Sequence, residues 1–230
     1  SQAALHVLLG TGTRVVIPPP FLCCGFPAHA NARTAQHERT VLRDSILFTQ
    51  MREMLSYLSF DAVVVTCGTC KEGLEAMELP RIFGAPIVDA GRFALEAGLR
   101  LDGARPVLYH PPCHDSLEGG GVDTLRRAGY EARAVPNCCP EAGTLALPRP
   151  DITDAMLDRK AEALREALDG LPRGTPILTN CPSCLQGLGR NARLGASPRH
   201  LAVELATRLS GDGWQERFRA QAARAKSVQF

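Results

Sequence analysis

Residues 62–74 read AVVVTCGTCKEGL, and they show how the chain is built. The apolar, β-branched run at residues 62–66 predicts a buried strand. A Cys-x-x-Cys motif follows at the carboxyl end of that strand and opens a helix, whose N-terminal amides and dipole suit a negatively charged group. A second stretch, ILTNCPSCLQGL at residues 177–188, repeats the order of strand, cysteine motif and helix. The chain is therefore predicted to contain a duplicated α/β unit.

A pair of adjacent cysteines precedes each of these stretches. The pair at residues 23–24 recurs 115 residues later at 138–139, and the motif that begins at Cys67 recurs 114 residues later. Cys113 has no partner in this comparison, because the same offset places its counterpart ahead of the first residue. Each unit is therefore expected to carry five cysteines. We call Cys23, Cys24, Cys67 and Cys70 the first set, and Cys113, Cys138, Cys139, Cys181 and Cys184 the second set.

Strand and helix patterns alternate on both sides of the cysteines. This alternation predicts an α/β fold of two tandem pseudo-repeated units, each a small, mostly parallel sheet flanked by helices. We expect the first unit at residues 1–102, the second at 103–210, and a C-terminal helix and tail at 211–230. Because open α/β sheets bind ligands at the carboxyl ends of their strands, the thiols of each unit should converge on one rim.

Short apolar runs and helical spacing predict the individual elements. Leu42, Ile46, Met54 and Leu58 are spaced for one apolar face of a long helix. Residues 3–9 also look helical, so the sequence begins inside a helix. Strands are predicted at residues 14–17, 62–66, 86–88, 107–109, 132–135 and 177–179, and the long helices at residues 34–58 and 152–168.

The overall composition is that of an ordinary globular protein, with 45% hydrophobic and 22% charged residues. The net charge of +2 and the lack of a long basic run argue against nucleic acid as a partner. The sequence shows no apolar stretch long enough to cross a bilayer and no secretion leader, so a cytoplasmic protein is expected. In that compartment, nine cysteines indicate metal or redox chemistry and not structural disulfides.

Five thiols in each unit favour an iron–sulfur cluster. Such clusters are held by thiolates, and five thiolates exceed the four ligands of a tetrahedral zinc ion. The side chains of adjacent cysteines diverge, which suits separate irons of a larger cluster better than one small ion. Three alternatives stay open: a zinc site, because soft thiolates also bind zinc; a dithiol–disulfide exchanger; and buried cysteines that only fill a core.

The cysteine pattern resembles that of the cysteine-rich CCG domain family. Residues 23–25, Cys-Cys-Gly, and the Cys-x-x-Cys of residues 67–70 carry the resemblance, and the second set repeats them after a leading cysteine. It covers roughly residues 1–195, and it departs from the family where Pro140 replaces the glycine after the second pair. The family includes a subunit of heterodisulfide reductase, the iron–sulfur subunits of glycolate, lactate and glycerol-3-phosphate dehydrogenases, and the C-terminal part of FAD-linked D-2-hydroxy-acid oxidases.

The resemblance implies an iron–sulfur electron-transfer module and not a complete enzyme. The cysteines of both sets would be the ligands of one or two [4Fe-4S]-type clusters, with zinc as the substitute metal. Electrons would pass from a flavin that oxidises a 2-hydroxy acid, of the lactate, glycolate or D-2-hydroxyglutarate kind, to a quinone or a redox protein. The segment Glu141-Ala-Gly-Thr favours this branch of the family, and the alternative is a disulfide-cleaving subunit like that of heterodisulfide reductase.

The flavin has no binding motif in this sequence. A glycine-rich nucleotide fingerprint is absent, so FAD is expected on a region outside this sequence or on a partner flavoprotein. We therefore expect a cytoplasmic chain, free or held at the inner membrane through a partner. The sequence alone identifies no catalytic residue.

Two histidines flank Cys113 in the sequence HPPCH. His110 and His114 are candidates for hydrogen-bond donors to the cluster ligands, for alternative ligands or for proton carriers beside a reducible site. Equally, each imidazole could face water or cap the end of a strand. The five thiols already suffice as ligands, which favours the donor role.

Overall fold

The fold is described by a computed structural model that places residues 2–101, 103–141, 145 and 147–224. Helices cover two small parallel sheets, which confirms the predicted α/β class. The first half contains α1 (Gln2–Gly10), α2 (Phe26–Ala30), α3 (Thr34–Met54), β1 (Val63–Val65), α4 (Gly68–Ala76), α5 (Leu79–Phe83), β2 (Ile87–Asp89) and α6 (Ala90–Glu96). The second half contains β3 (Pro106–Tyr109), α7 (Gly121–Arg127), β4 (Glu131–Ala134), α8 (Pro150–Leu168), β5 (Pro176–Thr179), α9 (Pro182–Gly189), a 3-10 turn (Ala192–Leu194), β6 (Ser197–His200), α10 (Leu201–Ser210) and α11 (Trp214–Arg224).

Both sheets are parallel throughout, as expected for strands that are joined through helices. In the first sheet β1 pairs with β2, with Val63 opposite Ile87 and Val65 opposite Asp89. The second sheet has the order β4-β3-β5-β6. All four residues of β5 are buried, which fits a central strand that is covered on both faces.

The duplication predicted from the cysteines is visible in the order of the elements. The series β1, α4, β2, α6 of the first unit corresponds to β5, α9, β6, α10 of the second. In both copies the last residue of the second strand caps the next helix: Asp89 accepts amide hydrogen bonds at the start of α6, and His200 accepts one at the start of α10. The repeat therefore produces two equivalent strand–helix junctions, at β1–α4 and β5–α9.

The strand predicted at residues 14–17 is wrong, because these residues pair with no neighbour in the described chain. The matching strand of the second unit, β4, pairs with β3. The described residues of the first unit contain no strand that corresponds to β3, so the apolar run pairs with no strand, and Ile17 is 67% exposed. The cysteine pair at residues 23–24 consequently follows a loop and not a strand.

The strand β6 escapes prediction because its sequence, Ser-Pro-Arg-His, is polar and contains a proline. Proline lacks the N–H that an inner strand needs, and it is tolerated where one side of the strand is unpaired. β6 occupies such a position, at the edge of the second sheet next to β5.

The apolar face predicted for the long helix is also wrong. The helix ends at Met54, so Leu58 lies beyond it. The inner face of α3 contains the buried residues Asp44 and Phe48, which lie two residues after Leu42 and Ile46 and therefore on nearly the opposite side of the helix. Hydrophobic spacing alone does not reveal that a buried carboxylate shares this face. The residues of the predicted face are exposed instead: Leu42 by 65%, Ile46 by 50% and Met54 by 78%.

The two units share one hydrophobic core. Helix α1 of the first unit packs against α10 of the second and against α6. Buried residues of this core come from both sides of the expected boundary at residue 102, among them Val7, Leu178 and Leu205. The boundaries at 102 and 210 are therefore limits of the sequence units. That they are also limits of folded domains stays a prediction.

The predicted C-terminal helix is α11. Its first residue, Trp214, is buried and stacks on the ring of His6, with the ring centroids 5.2 Å apart. Residues 225–230 of the predicted tail lie outside the described residues. Within the part of the chain that the structure describes, no helix combines the length and the apolar character needed to cross a bilayer.

His200 joins the two units next to the first cysteine motif. Its Nδ1 atom accepts a hydrogen bond from the amide of Ala202 at 3.1 Å, and its Nε2–H donates to the carbonyl of Thr66 at 2.9 Å. This arrangement needs a neutral ring, because a protonated ring has no acceptor left for the helix cap. Burial lowers the pKa of His200 below 6.5, although Asp89 and Cys67 face it and act in the opposite direction.

We expect His200→Ala to lower the free energy of unfolding by about 1–2 kcal/mol, since it removes a helix cap and a bond between the units. His200→Asn, which keeps a cap acceptor, should cost less. Below pH 6.5 the unfolded chain binds a proton that the folded ring excludes, so wild-type stability should fall with pH in that range. Urea unfolding at pH 5.5 and 7.5 measures both effects. An equally steep loss in His200→Ala would contradict the assignment to this ring.

Candidate metal centre

The five thiols of the second set form one continuous group. The sulfur of Cys113 lies 3.9 Å from that of Cys138, and the sulfur of Cys139 lies 3.2 Å from that of Cys184. The thiols of Cys138 and Cys139, and those of Cys181 and Cys184, are close enough for one to shift the pKa of the other. All five are free thiols, with Cys113 the most exposed. The structure thus brings together the five cysteines that the sequence assigns to this unit.

Three thiols of the first set are in contact in the same way. The thiol of Cys70 shares hydrogen bonds with those of Cys24 and Cys67, as Cys184 does with its partners in the second set. Cys23 occupies the place of Cys138, and its sulfur accepts a hydrogen bond from the amide of Gly25 at 3.4 Å. Cys138 also contacts Cys113, and Cys113 has no equivalent among the described residues of the first unit, so the first set comprises four of these thiols and the second five.

Helix N-termini hold the two Cys-x-x-Cys motifs. Cys67 is the N-cap residue of α4 and Cys181 is the N-cap residue of α9, both with extended backbones. The second cysteine of each motif, Cys70 or Cys184, lies in the first turn of the same helix. The free amides and the positive end of the helix dipole stabilise negative charge at both positions.

A glycine on each of these helices lets the adjacent-cysteine pair approach. A Cβ atom on Gly73 of α4 would lie 2.5 Å from the carbonyl oxygen of Cys24. A Cβ atom on Gly187 of α9 would lie 2.0 Å from the carbonyl oxygen of Cys139. The two distances are too short for any side chain, so these glycines set how closely the cysteine pair packs on the helix. The sequence comparison shows both glycines at matching places, but it does not reveal this contact.

Thiolates are favoured at two positions in each set, and the pKa falls furthest at Cys139 and Cys67. The pKa of Cys139 is lowered to about 4 by a hydrogen bond from the thiol of Cys184 and a further one from His110. The pKa of Cys67 is lowered to about 5, chiefly by the thiol of Cys70. Such hydrogen bonds to the charged form outweigh burial, which acts in the opposite direction at both positions. Both sets therefore already contain a metal-binding form of sulfur at neutral pH.

His110 lies inside the second set and is backed by a buried lysine. The side chains of His110 and Lys160 are 1% and 0% exposed. Nζ of Lys160 donates to Nδ1 of His110 at 2.9 Å, and to the carbonyl oxygens of Pro136 at 2.7 Å and Asn137 at 3.1 Å. Because an ammonium group can only donate, Nδ1 accepts and the ring proton is on Nε2, which leaves Nε2–H for the hydrogen bond to Cys139.

Asp44 lies beneath the cysteine pair of the first set. Its carboxylate is 0% exposed and accepts a hydrogen bond from the amide of Cys23 at 2.8 Å. Arg43, whose side chain is 55% exposed, pairs with the other carboxylate oxygen at 2.5 Å. The cysteine spacing does not predict a role for Asp44 or Lys160. What could have indicated one is that each is a charged residue on the buried side of the long helix that follows a cysteine pair.

The two thiol sets adjoin across the boundary between the units. A Cβ atom on Gly68, next to Cys67, would lie 1.8 Å from the carbonyl oxygen of His114. Nδ1 of His114 lies 2.6 Å from a carboxylate oxygen of Glu72, and its ring meets that of Phe26 edge-on at 4.9 Å. His114 is therefore a contact between the units, whereas His110 faces the thiols.

The chemistry of the second set fits an iron–sulfur cluster. Lys160 is fully buried, and none of the ion pairs among the described residues includes it; the negative groups that act on it are the thiols of Cys138, Cys139 and Cys184. A thiolate–sulfide cluster at these sulfurs would supply the negative charge that a buried ammonium group needs. The three ligand atoms of His110, Cys139 and Cys184 also lie within 4.8 Å of one another, which would suit a single metal ion.

A comparison with protein families matches residues 1–75 and 107–189 to the family described as the cysteine-rich domain, CCG. The chain is 28% identical over 197 residues to an uncharacterized iron–sulfur protein of Methanococcus maripaludis. It is 27% identical over 200 residues to a subunit of the fumarate reductase (CoM/CoB) of Methanothermobacter marburgensis. Each match covers 80% of this chain but only 36% and 37% of the relative, so the chain spans little more than a third of their length.

One group of relatives is matched over nearly its whole length. Lactate utilization protein A of Geobacillus kaustophilus is 28% identical over 238 residues, which cover 90% of this chain and 92% of the relative. Among solved structures, glutamate racemase RacE1 of Bacillus anthracis is 14% identical and has a TM-score of 0.31 over 94% of this chain and 78% of that one. That TM-score is too low to indicate a shared fold.

Proposed function

The chain belongs to the cysteine-rich CCG domain family, and from that premise we propose that it is the iron–sulfur electron-transfer module of a flavin-linked oxidoreductase acting on a 2-hydroxy acid of the lactate or glycolate type. The observation that carries the proposal is the continuous group of five thiols in the second set, together with its smaller equivalent in the first set. Five thiolates are more than one zinc ion can bind and are enough for a multi-iron cluster.

In this proposal the cysteines of the two sets are the cluster ligands, and a [4Fe-4S]-type cluster supplies one-electron exchange. The N-termini of α4 and α9 stabilise the negative charge of the thiolates. His110 donates a hydrogen bond to the sulfur of Cys139, and Lys160 fixes the tautomer that permits it. The side chain of His114 holds the two units together beside Cys113.

We place the oxidation of the substrate on another region or chain. FAD would be bound there, and a quinone or a redox protein would receive the electrons. Lactate utilization protein A supports the hydroxy-acid branch, because it matches this chain over 92% of its own length. A disulfide-cleaving subunit is the second candidate, and its support is the similarity to the fumarate reductase (CoM/CoB) subunit.

A zinc site is the third candidate, because the ligand atoms of His110, Cys139 and Cys184 lie close enough for a single ion. Against it, the Nδ1 atom of His110 is engaged by Lys160, and its Nε2–H is directed to a thiol. A ring in this state has no lone pair for a metal unless Lys160 moves away. The geometry therefore favours His110 as a donor and the sulfurs as the ligands.

The test is anaerobic purification of the full chain, followed by reconstitution with ferrous iron and sulfide. We expect about four irons and about four sulfides for each occupied thiol set, a brown chromophore and an EPR signal after reduction. A colourless protein that holds one zinc ion for each set and takes up no iron would contradict the proposal. Reduction of a disulfide substrate without any flavin partner would favour the second candidate over the first.

A further inference from the structure

Equivalent helices of the two units carry opposite buried charges. α3 and α8 each follow the adjacent-cysteine pair of their unit. Asp44 is the eleventh residue of α3 and Lys160 is the eleventh residue of α8, and both side chains are 0% exposed. The two units therefore carry buried charges of opposite sign at equivalent helix positions.

Both charges act on the same part of their thiol set. Asp44 accepts the amide hydrogen bond of Cys23, the first residue of its pair, at 2.8 Å. Lys160 donates to the carbonyl of Asn137, which directly precedes the matching Cys138, at 3.1 Å. Lys160 also reaches Cys139 through His110, as described above. Each charge is thus one or two hydrogen bonds away from a cysteine of the pair.

The neighbouring charges do not cancel the difference between the sets. Arg43 neutralises part of the charge of Asp44, but it is mostly exposed and water screens it. The other ionisable groups near the Cys-x-x-Cys motifs are paired: Lys71 with Glu75 and Glu118, and Glu72 with His114, in the first unit, and Arg190 with Glu141 in the second. The helix N-termini are common to both sets. Lys160 has no such partner among the described residues apart from the thiols.

We propose that Asp44 and Lys160 give the two thiol sets different reduction potentials, so that the group held by the second set is reduced more easily than the group held by the first. The inference rests on the proposed function above. Reduction adds one negative charge to a site without making a bond or moving a proton. A buried cation stabilises that added charge and a buried anion opposes it, and both effects are strong where water is excluded. An electron delivered to the chain would then reside on the second unit.

Potentiometric titration of the reconstituted full chain, followed by EPR, tests this order. Dithionite serves as the reductant and ferricyanide as the oxidant. Cys70→Ser and Cys184→Ser assign the signals, because each should leave only the other set loaded. Lys160→Met should lower the midpoint potential of the second set and leave that of the first unchanged, while Lys160→Arg keeps the charge and should stay near the wild type. Asp44→Asn should raise the midpoint potential of the first set alone.

The outcomes separate the inference from the proposed function. A chain that takes up no iron and sulfide would refute both. A loaded chain in which the first set has the higher potential, or in which Lys160→Met and Asp44→Asn leave both potentials unchanged, would refute the inference alone. If Lys160→Met does not fold, Asp44→Asn still decides the question, because its amide oxygen can accept the hydrogen bond from Cys23.

Discussion

Cys184→Ser is expected to remove about half of the iron that the reconstituted chain binds, a fall from about eight to about four atoms. Cys184 is buried at the centre of the second set, where its thiol contacts Cys139 and Cys181. Its loss therefore interrupts the continuous group of sulfurs, whereas the loss of a peripheral thiol would only shorten it. A serine oxygen at this position is a poor ligand for iron, since it is harder and more basic than sulfur. Iron and sulfide analysis of the reconstituted variant measures the effect.

Cys70→Ser should remove the iron of the first set and leave that of the second, because Cys70 holds the central place in the first set. Ser183→Ala is the matched control: Ser183 is an exposed residue of the same helix turn as Cys184 and carries no thiol. It should bind iron like the wild type. If Cys184→Ser kept the full iron content, the ligand role of the second set would be wrong. If the serine variants at Cys70 and Cys184 both lost all iron, the two sets would form one site and not two.

The alternation of strand and helix patterns predicted the α/β class. Cysteine spacing predicted the duplication and the composition of the two thiol sets, because a repeated motif at a strand end fixes where its side chains must meet. It could not predict which strands find a neighbour. The run at residues 14–17 has the apolar, β-branched character of a strand, but among the described residues it has no neighbouring strand of the kind that β3 provides for β4. β6 shows the converse, since Ser197–His200 lacks strand character and forms a strand because the edge of β5 is available.

The buried charges of Asp44 and Lys160 could not be predicted from the sequence, for a different reason. Hydrophobic spacing assigns the inner face of a helix from its apolar residues, and in α3 this placed Leu42 and Ile46 inside. The actual inner face carries Asp44, whose burial is compensated by the amide of Cys23 and by Arg43. Such compensation is a property of the folded contacts and not of residue type. Lys160 is the same case with the opposite sign, and its compensation is by carbonyl oxygens and thiols.

Gly187→Ala should lower the free energy of unfolding by about 3 kcal/mol, at the upper end of the usual cost of overpacking. The added methyl group would lie 2.0 Å from the carbonyl oxygen of Cys139. Because the obstacle is backbone and not the end of a flexible side chain, either α9 or the cysteine pair must move. Gly189→Ala is the matched control, two residues further along α9, where nothing lies within 4 Å of an added Cβ. It should be neutral or stabilising by up to about 1 kcal/mol.

The two variants also separate stability from site geometry. Moving the cysteine pair away from α9 would part Cys139 from Cys184, whose sulfurs are 3.2 Å apart, so Gly187→Ala should lose the iron of the second set and keep that of the first. Gly73→Ala should do the reverse, since its Cβ would meet the carbonyl oxygen of Cys24 at 2.5 Å. Urea unfolding and iron analysis on the same preparations measure both effects. A Gly187→Ala chain as stable and as iron-rich as Gly189→Ala would show that the close packing of the cysteine pair on the helix does not form the site.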